Sequence, residues 1–312
     1  MSDPTTPVLI TAFLGALGIF IAAALARLIR GKSTEPAAIA AQEIPALDDL
    51  LSPYLPPSAI ESVQLTAPEP VPSGVPTWHY RKLDFIWAGA IFLLFFSMSV
   101  GNSAVEPGDV KFTPQVLLGS IGFQITLAMI TALVVAWRID LVTWLGLRWR
   151  NWPWVFLIAP VTVFSIWTFM GLLYFGGYMK WIESLGVESV QDTVKLLQES
   201  KDPLILILMA VAAVIVAPIC EEIVFRGYLY PFTKRFAGPW IAAICSGVIF
   251  SAAHGNLSAL LPLAVFGFVL AVIYEKTGSI WSVIAIHFCF NGATVALQAL
   301  ARFAPHLIEQ SK

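Results

Sequence analysis

Charged residues are scarce in this sequence. Lys, Arg, Asp and Glu together make up 12% of the 312 residues, whereas 58% of the residues are hydrophobic. Soluble globular proteins carry about 25% charged residues, so this composition excludes that class. It predicts an all-α, polytopic bundle of membrane helices, inserted in the inner or plasma membrane if the source is bacterial.

Basic clusters and cysteine motifs are missing as well. The net charge is −2 and Lys and Arg form no cluster, so nothing supports a nucleic-acid partner. Cys220, Cys245 and Cys289 lie in apolar segments without Cys-x-x-Cys spacing, which excludes a disulfide framework and a thiolate metal site. The His-Glu-x-x-His and Gly-x-Ser-x-Gly motifs of other hydrolases are also absent.

Long apolar runs predict about eight transmembrane helices. A helix needs about 20 residues to cross the hydrocarbon core of a bilayer. The predicted spans are residues 8–26, 83–100, 114–137, 152–178, 203–232, 239–254, 258–274 and 279–301. With both termini outside, most Lys and Arg residues fall in cytoplasmic loops, as the positive-inside rule requires.

The chain divides into three segments of different composition. Residues 1–30 predict an N-terminal transmembrane anchor. Residues 31–78 hold nine prolines and few bulky apolar residues, which predicts a disordered cytoplasmic linker. Residues 78–82 predict an aromatic and basic belt at the membrane surface. Residues 79–312 form the main membrane domain, whose polar motifs fall within about 141–303.

The predicted span 203–232 contains three ionisable residues. Such groups are costly in hydrocarbon, so they mark functional sites and need partners. Glu222 and Arg226 are four residues apart on one helix face, where they can pair. Glu221 points about 100° away from Glu222, and we hypothesise that it is a catalytic carboxylate. Pro218 predicts a kink just before Glu221 that opens room for water.

Three further polar residues lie inside the last predicted spans. His254 closes one span, and His287 and Asn291 share one face of another because they are four residues apart. At about 1.5 Å per residue, Glu221, His254 and His287 all reach the middle third of the bilayer from the cytoplasmic side. We therefore expect these four residues to share one pocket.

Two chemistries fit such a pocket. A buried carboxylate can act as general base on water, while imidazole and amide donors stabilise an oxyanion, which together make a peptide hydrolase. Alternatively, Glu221, His254 and His287 supply the one oxygen and two nitrogen ligands of a catalytic zinc site with an open position. The residues alone leave both chemistries open.

At these residues the sequence resembles the type II CAAX prenyl endopeptidase-like membrane proteases, also called the CAAX protease and bacteriocin-processing family. The resemblance rests on three motifs in the family's order. They are Glu-Glu-x-x-x-Arg at 221–226, Phe-x-x-x-His at 250–254 and His-x-x-x-Asn at 287–291. The resemblance covers about 141–303 and excludes the first helix and the proline-rich linker.

The resemblance also implies roles for the motif residues. Glu221 would activate a water, with His254 positioning it or sharing its proton. His287 and Asn291 would form the oxyanion side of the site. The remaining motif residues would support these groups: Glu222, Arg226 and Phe250. Metal dependence stays open, with one divalent ion such as zinc as the candidate cofactor.

The implied function is an intramembrane endopeptidase acting on membrane proteins or lipidated peptides, prenylated CAAX proteins among them. One alternative is a non-catalytic membrane scaffold or bacteriocin-immunity-like relative, against which the intact motifs argue. The other is a proton-coupled transporter, which predicts ionisable groups spread across the bundle. The first four predicted spans are expected to contain essentially none.

Overall fold

The structure, a computed structural model, describes residues 4–30, 74–103, 112–149, 151–187, 196, 198 and 200–303. Throughout this part the chain is helical and contains no strand. The helices are α1 (Thr5–Ile29), α2 (Lys82–Ser103), α3 (Pro114–Ala136), α4 (Leu141–Leu145), α5 (Val155–Phe175), α6 (Tyr178–Ser184), α7 (Pro203–Ala237), α8 (Pro239–Ala252), α9 (Leu257–Thr277) and α10 (Ile280–Phe303). The predicted linker lies outside the described residues as far as residue 73.

Seven of these helices are long and apolar enough to cross a membrane. They are α1, α2, α3, α5 with its preceding turn from Trp152, α7, α9 and α10. The prediction of a polytopic helical membrane protein is thereby confirmed. The remaining predicted span, 239–254, is shorter than expected because α8 has 14 residues and is about 21 Å long.

The chain reverses direction immediately after α8. Gly255 adopts a left-handed conformation with φ of +65°, which favours glycine. Asn256 then caps α9, because its side-chain oxygen accepts a hydrogen bond from the Ala259 N–H at 3.0 Å. These two residues end α8 about 9 Å short of a full bilayer crossing. Non-helical backbone at that depth is tolerated where protein covers it or where it lines a water-filled cavity.

Close packing of α8 against α9 depends on two glycines. A Cβ atom on Gly267 would lie 2.9 Å from the Gly247 Cα atom and 3.1 Å from the Phe250 ring. A Cβ atom on Gly247 would lie 2.5 Å from the Ala264 carbonyl oxygen. Small residues let helix backbones approach closely in membranes, where packing drives association. This contact brings Phe250 beside the backbone of α9.

Two π-helical segments interrupt α7, at Ala212–Val216 and Ile223–Leu229. Each precedes a proline, Pro218 or Pro231, which cannot donate the next helical hydrogen bond. A π-helical turn contains one extra residue and relieves the clash with the preceding turn. The prediction of a kink at Pro218 therefore corresponds to a local widening of the helix on the N-terminal side of Glu221.

The first helix packs into the bundle. Phe13 is fully buried, and its ring meets Phe92 and Phe96 edge to face at 5.6 Å. The Cys245 thiol donates to the Ala16 carbonyl oxygen at 3.4 Å. The predicted anchor, residues 1–30, is thus in direct contact with α2 and α8.

The chain leading into α2 is also packed. Lys234 Nζ donates to the Val75 carbonyl at 2.8 Å, and the Val75 N–H donates to Glu275 at 3.3 Å. Trp78 and Tyr80 stack at 4.8 Å and are buried, so these two aromatic residues belong to the core instead of the predicted surface belt. Burial raises the pKa of Tyr80 well above its usual value.

Candidate active site

Glu222 and Arg226 form a fully buried ion pair within α7. Arg226 Nη1 donates to Glu222 Oε1 at 2.9 Å, and Nη2 donates to the Gly267 carbonyl at 3.0 Å. The guanidinium also lies over the Phe250 ring, with its carbon 4.6 Å from the ring centroid. Such a cation–π contact adds to the stability of a desolvated arginine. The predicted pairing is present, and it links α7 to both α8 and α9.

Glu222 Oε1 also forms a hydrogen bond with a histidine of α10. His287 Nδ1 lies 2.8 Å from Glu222 Oε1. An ionised carboxylate only accepts hydrogen bonds, so Nδ1 carries a proton toward Glu222. In the neutral tautomer with this proton, Nε2 is an acceptor. Glu222 therefore sets both the orientation and the tautomer of His287. No spacing in the sequence reveals this contact, because the two residues are 65 positions apart.

Glu221 occupies a different environment from its neighbour. Its side chain is 22% exposed, but Oε2 is buried and has no hydrogen-bond partner in the described part of the chain. His287 Nε2 lies 4.0 Å from that oxygen. Buried polar atoms normally have partners, and Glu222 Oε2 also has none among the described residues. Glu221 differs from Glu222 in being partly exposed as well as close to the Nε2 atom of His287.

His254 lies next to Phe250. His254 Nδ1 is 2.8 Å from the Phe250 carbonyl oxygen, to which it donates because a carbonyl only accepts. The Phe250 ring packs against His254, with centroids 4.9 Å apart, and against His287 at 5.8 Å. Phe250 thus contacts both imidazoles and the Arg226 guanidinium, which makes it the apolar support of the cluster.

Asn291 is directed at α7. Its side-chain N–H donates to the Ala213 carbonyl at 2.7 Å, inside the first π-helical segment. The sequence analysis assigned Asn291 to the oxyanion side of the site. One of its two side-chain N–H donors is bonded to the backbone of the helix that carries Glu221, so Asn291 links α10 to α7.

Part of this chain matches a known protein family. Residues 203–293 match the family described as type II CAAX prenyl endopeptidase Rce1-like. This segment is less than a third of the chain. It contains all three motifs, so the resemblance noted in the sequence is confirmed.

One curated protein illustrates the relationship. The Bacillus subtilis (strain 168) protein named "Putative membrane peptidase YdiL" is 39% identical over 95 residues, which are 29% of this chain and 37% of that protein. The chain therefore matches a little over a third of the length of this relative. No solved structure matches the chain significantly.

The Rce1-like site does not present the predicted metal ligands as a set. In the described residues no three His, Cys, Asp or Glu side chains are grouped so that they could hold a metal ion. Nδ1 of His287 is bonded to Glu222, and Nδ1 of His254 is bonded to a backbone carbonyl. These bonds leave Nε2 as the remaining nitrogen of each ring, which is the nitrogen that a metal-binding histidine with a bonded Nδ1 would use. No catalytic step is routed through a metal.

Sequence reasoning missed a second buried acid outside the Rce1-like segment. Asp84, in the first turn of α2, is fully buried and pairs with Arg138 beyond the end of α3. Its backbone carbonyl also accepts a hydrogen bond from Tyr228 at 2.9 Å. The expectation that the first four spans contain essentially no ionisable group is therefore wrong. The available signal was the opposite charge of Asp84 and Arg138, which lie at the adjacent ends of two predicted spans and could therefore pair.

Proposed function

We propose that this chain is an intramembrane endopeptidase in which Glu221 is the general base that activates a water. The observation that carries the proposal is the buried, unsatisfied Glu221 Oε2 atom, 4.0 Å from His287 Nε2. Proton transfer through one bridging water is an accepted geometry for a general base. The family match over residues 203–293 and the peptidase name of the relative support the same reaction class.

The two facing acceptors suit a nucleophilic water. Because Glu221 Oε2 and neutral His287 Nε2 both accept, a water between them donates both of its O–H bonds. Its lone pairs are then directed away from the protein and toward a substrate carbonyl carbon. The Glu222 bond fixes the His287 ring, so the water is oriented before the substrate binds.

The reaction then follows the usual course of peptide hydrolysis. The water oxygen attacks the carbonyl carbon while Glu221 takes its proton, which gives a tetrahedral intermediate with a negatively charged oxygen. Glu221 returns the proton to the amide nitrogen, the C–N bond breaks, and an amine and a carboxylate leave. His254, which packs against Phe250, is proposed to position the reacting groups or share the transferred proton.

The proposed substrates are membrane-associated proteins or lipidated peptides. The site lies on helices that cross the membrane, so a substrate must present its scissile bond from the bilayer. Prenylated CAAX proteins are one such class, as the family name suggests. A lipid anchor would hold the peptide at the required depth and raise its local concentration.

The test is cleavage of a fluorogenic prenylated CAAX peptide, and of the same peptide without its lipid, by the purified protein in detergent or nanodiscs. Glu221→Gln should lower the cleavage rate by about 10²- to 10⁴-fold, the usual contribution of general base catalysis. The adjacent Cys220→Ala variant is the matched control and should keep most of the activity.

Two outcomes would count against the proposal. Full activity of a folded Glu221→Gln protein would remove Glu221 from the mechanism. Loss of activity in a zinc chelator, with recovery on adding zinc, would replace the glutamate-activated water with metal chemistry. Cleavage of only the lipidated peptide would assign the substrate class.

A further inference from the structure

A groove of about 370 Å³ opens between α2 and α3, away from the site that contains Glu221. Arg81 directly precedes α2 and Arg138 follows α3 by two residues, so both basic side chains lie at the same end of the helix pair. The remaining lining residues are apolar: Leu83, Ile130, Leu133, Val134 and Trp137. The groove is therefore basic at the membrane surface and apolar toward the hydrocarbon.

Polar contacts hold the two helices in place beside the groove. Buried Asp84 pairs with Arg138, and Trp87 Nε1 donates to the Thr131 hydroxyl at 3.3 Å one turn deeper. Charged groups removed from water contribute structure only when they are paired, and Asp84 is paired. The groove is consequently formed by two helices that are fixed relative to each other, and its shape does not depend on a loop.

The charge around the groove is positive. Arg81 and Lys82 are exposed, and neither has an ion-pair partner among the residues the structure describes. Arg138 is balanced by Asp84. The next carboxylate along the chain, Asp140, is occupied in capping α4, where it accepts from the Val142 N–H at 2.9 Å.

The apolar part of the groove faces the bilayer. Leu133 is 57% exposed and Trp137 is 88% exposed, on a helix that spans the membrane. An exposed tryptophan at a helix end is typical of the membrane–water interface. The groove thus has a basic end at the membrane surface, where a phosphate can bind, and an apolar surface deeper in the membrane for a hydrocarbon chain. A phospholipid has its phosphate and acyl chains in the same arrangement.

We propose that this groove binds an anionic phospholipid. Its phosphate would contact Arg81 and Arg138, and an acyl chain would lie along Leu133 and Trp137. The positive-inside rule places these helix ends at the cytoplasmic leaflet, which carries the anionic lipids. A zwitterionic headgroup brings a cation close to Arg81 and Lys82 and so binds less well.

The experiment measures lipid retained by the full-length protein in detergent, by native mass spectrometry, as palmitoyl-oleoyl phosphatidylglycerol is added. Arg81→Gln should weaken phosphatidylglycerol binding by about fivefold or more, the effect of removing one basic residue near an anionic lipid surface. Arg148→Gln removes an exposed arginine outside the groove and should leave binding unchanged.

A second variant tests the apolar half of the groove without changing charge. Leu133→Trp fills the groove and should also weaken phosphatidylglycerol binding, while the exposed position spares the fold. Parallel titrations with phosphatidylcholine and with inorganic phosphate should give little binding. Equal phosphatidylglycerol binding by the native, Arg81→Gln and Leu133→Trp proteins, or equal retention of phosphatidylcholine, would overturn the proposal.

Discussion

At the scale of single residues, two neighbouring carboxylates have different surroundings. This difference separates an acid that supports the structure from one that is available for catalysis. Glu222 is fully buried and its Oε1 atom accepts from both Arg226 and His287. Glu221, one residue earlier, is 22% exposed, and none of the described residues donates a hydrogen bond to its buried Oε2 atom. Glu222 Oε2 also has no such partner, so the two acids differ in exposure and in the bonds to Glu222 Oε1. Consecutive helical residues point about 100° apart, so one acid can hold the structure while the other is available for chemistry.

Arg226→Ala tests the supporting role of the ion pair. Removing the guanidinium leaves Glu222 buried without its charge partner, which costs about 3–5 kcal/mol when a buried pair is broken. We expect a large drop in the midpoint of thermal unfolding in detergent and less folded protein. Arg226→Lys keeps the charge but not the second donor to Gly267, so it should fall between the native protein and Arg226→Ala. Unchanged stability of Arg226→Ala would mean that the pair is not structural.

At the scale of helices, the irregular geometry of α7 determines how the helix is packed on either side of Glu221. Its first π-helical segment, Ala212–Val216, exposes a carbonyl that Asn291 of α10 satisfies at 2.7 Å. In its second segment the Gly227 carbonyl accepts a hydrogen bond from Trp144 Nε1 at 2.6 Å. Side chains from α10 and α4 therefore stabilise the two wide turns that flank Glu221.

Asn291→Ala distinguishes a bracing role from an oxyanion role. If Asn291 braces α7, the variant leaves the Ala213 carbonyl with one partner fewer and loses about 1–3 kcal/mol of stability together with activity. If Asn291 acts only as an oxyanion donor, activity falls while thermal unfolding stays unchanged. We expect the first result, measured by unfolding and cleavage on the same preparation. Thr294→Val, one turn further along α10, is the control for a general effect on that helix.

At the scale of the whole molecule, the N-terminal helix completes the bundle around the Rce1-like segment. Leu9 and Phe13 are fully buried, and α1 contacts α2 and α8. The family match begins only at residue 203, so the packing of α1 is a feature of this chain beyond the matched segment. Stability of the site therefore depends on residues far outside the motifs.

Phe13→Ala tests this dependence. Truncating a fully buried phenylalanine costs about 3–5 kcal/mol, through lost burial and the cavity left behind. The neighbouring Leu14 is 53% exposed, so Leu14→Ala is the matched control and should change stability little. The midpoints of thermal unfolding of the two variants are measured in the same detergent and compared. Equal effects of both variants would show that α1 does not pack as described.

The sequence predicts the helices and the buried ion pair of α7 well, because hydropathy and i to i+4 spacing are local properties. Glu222 and Arg226 pair as their spacing requires. The contact of His287 with Glu222, the bond of Asn291 to Ala213 and the buried Asp84 depend on how distant helices pack, so local patterns do not reveal them. The length of α8 was overestimated because apolar residues continue past the turn at Gly255.

The most direct test of the central claim is one turnover of peptide cleavage in water labelled with heavy oxygen, followed by mass spectrometry of the product and of the enzyme segment that contains Glu221. If Glu221 activates a water that attacks the carbonyl, the new product carboxylate carries one labelled oxygen and Glu221 carries none. Label in the Glu221 side chain would instead mean that the glutamate attacks the substrate itself, and the proposed mechanism would be wrong.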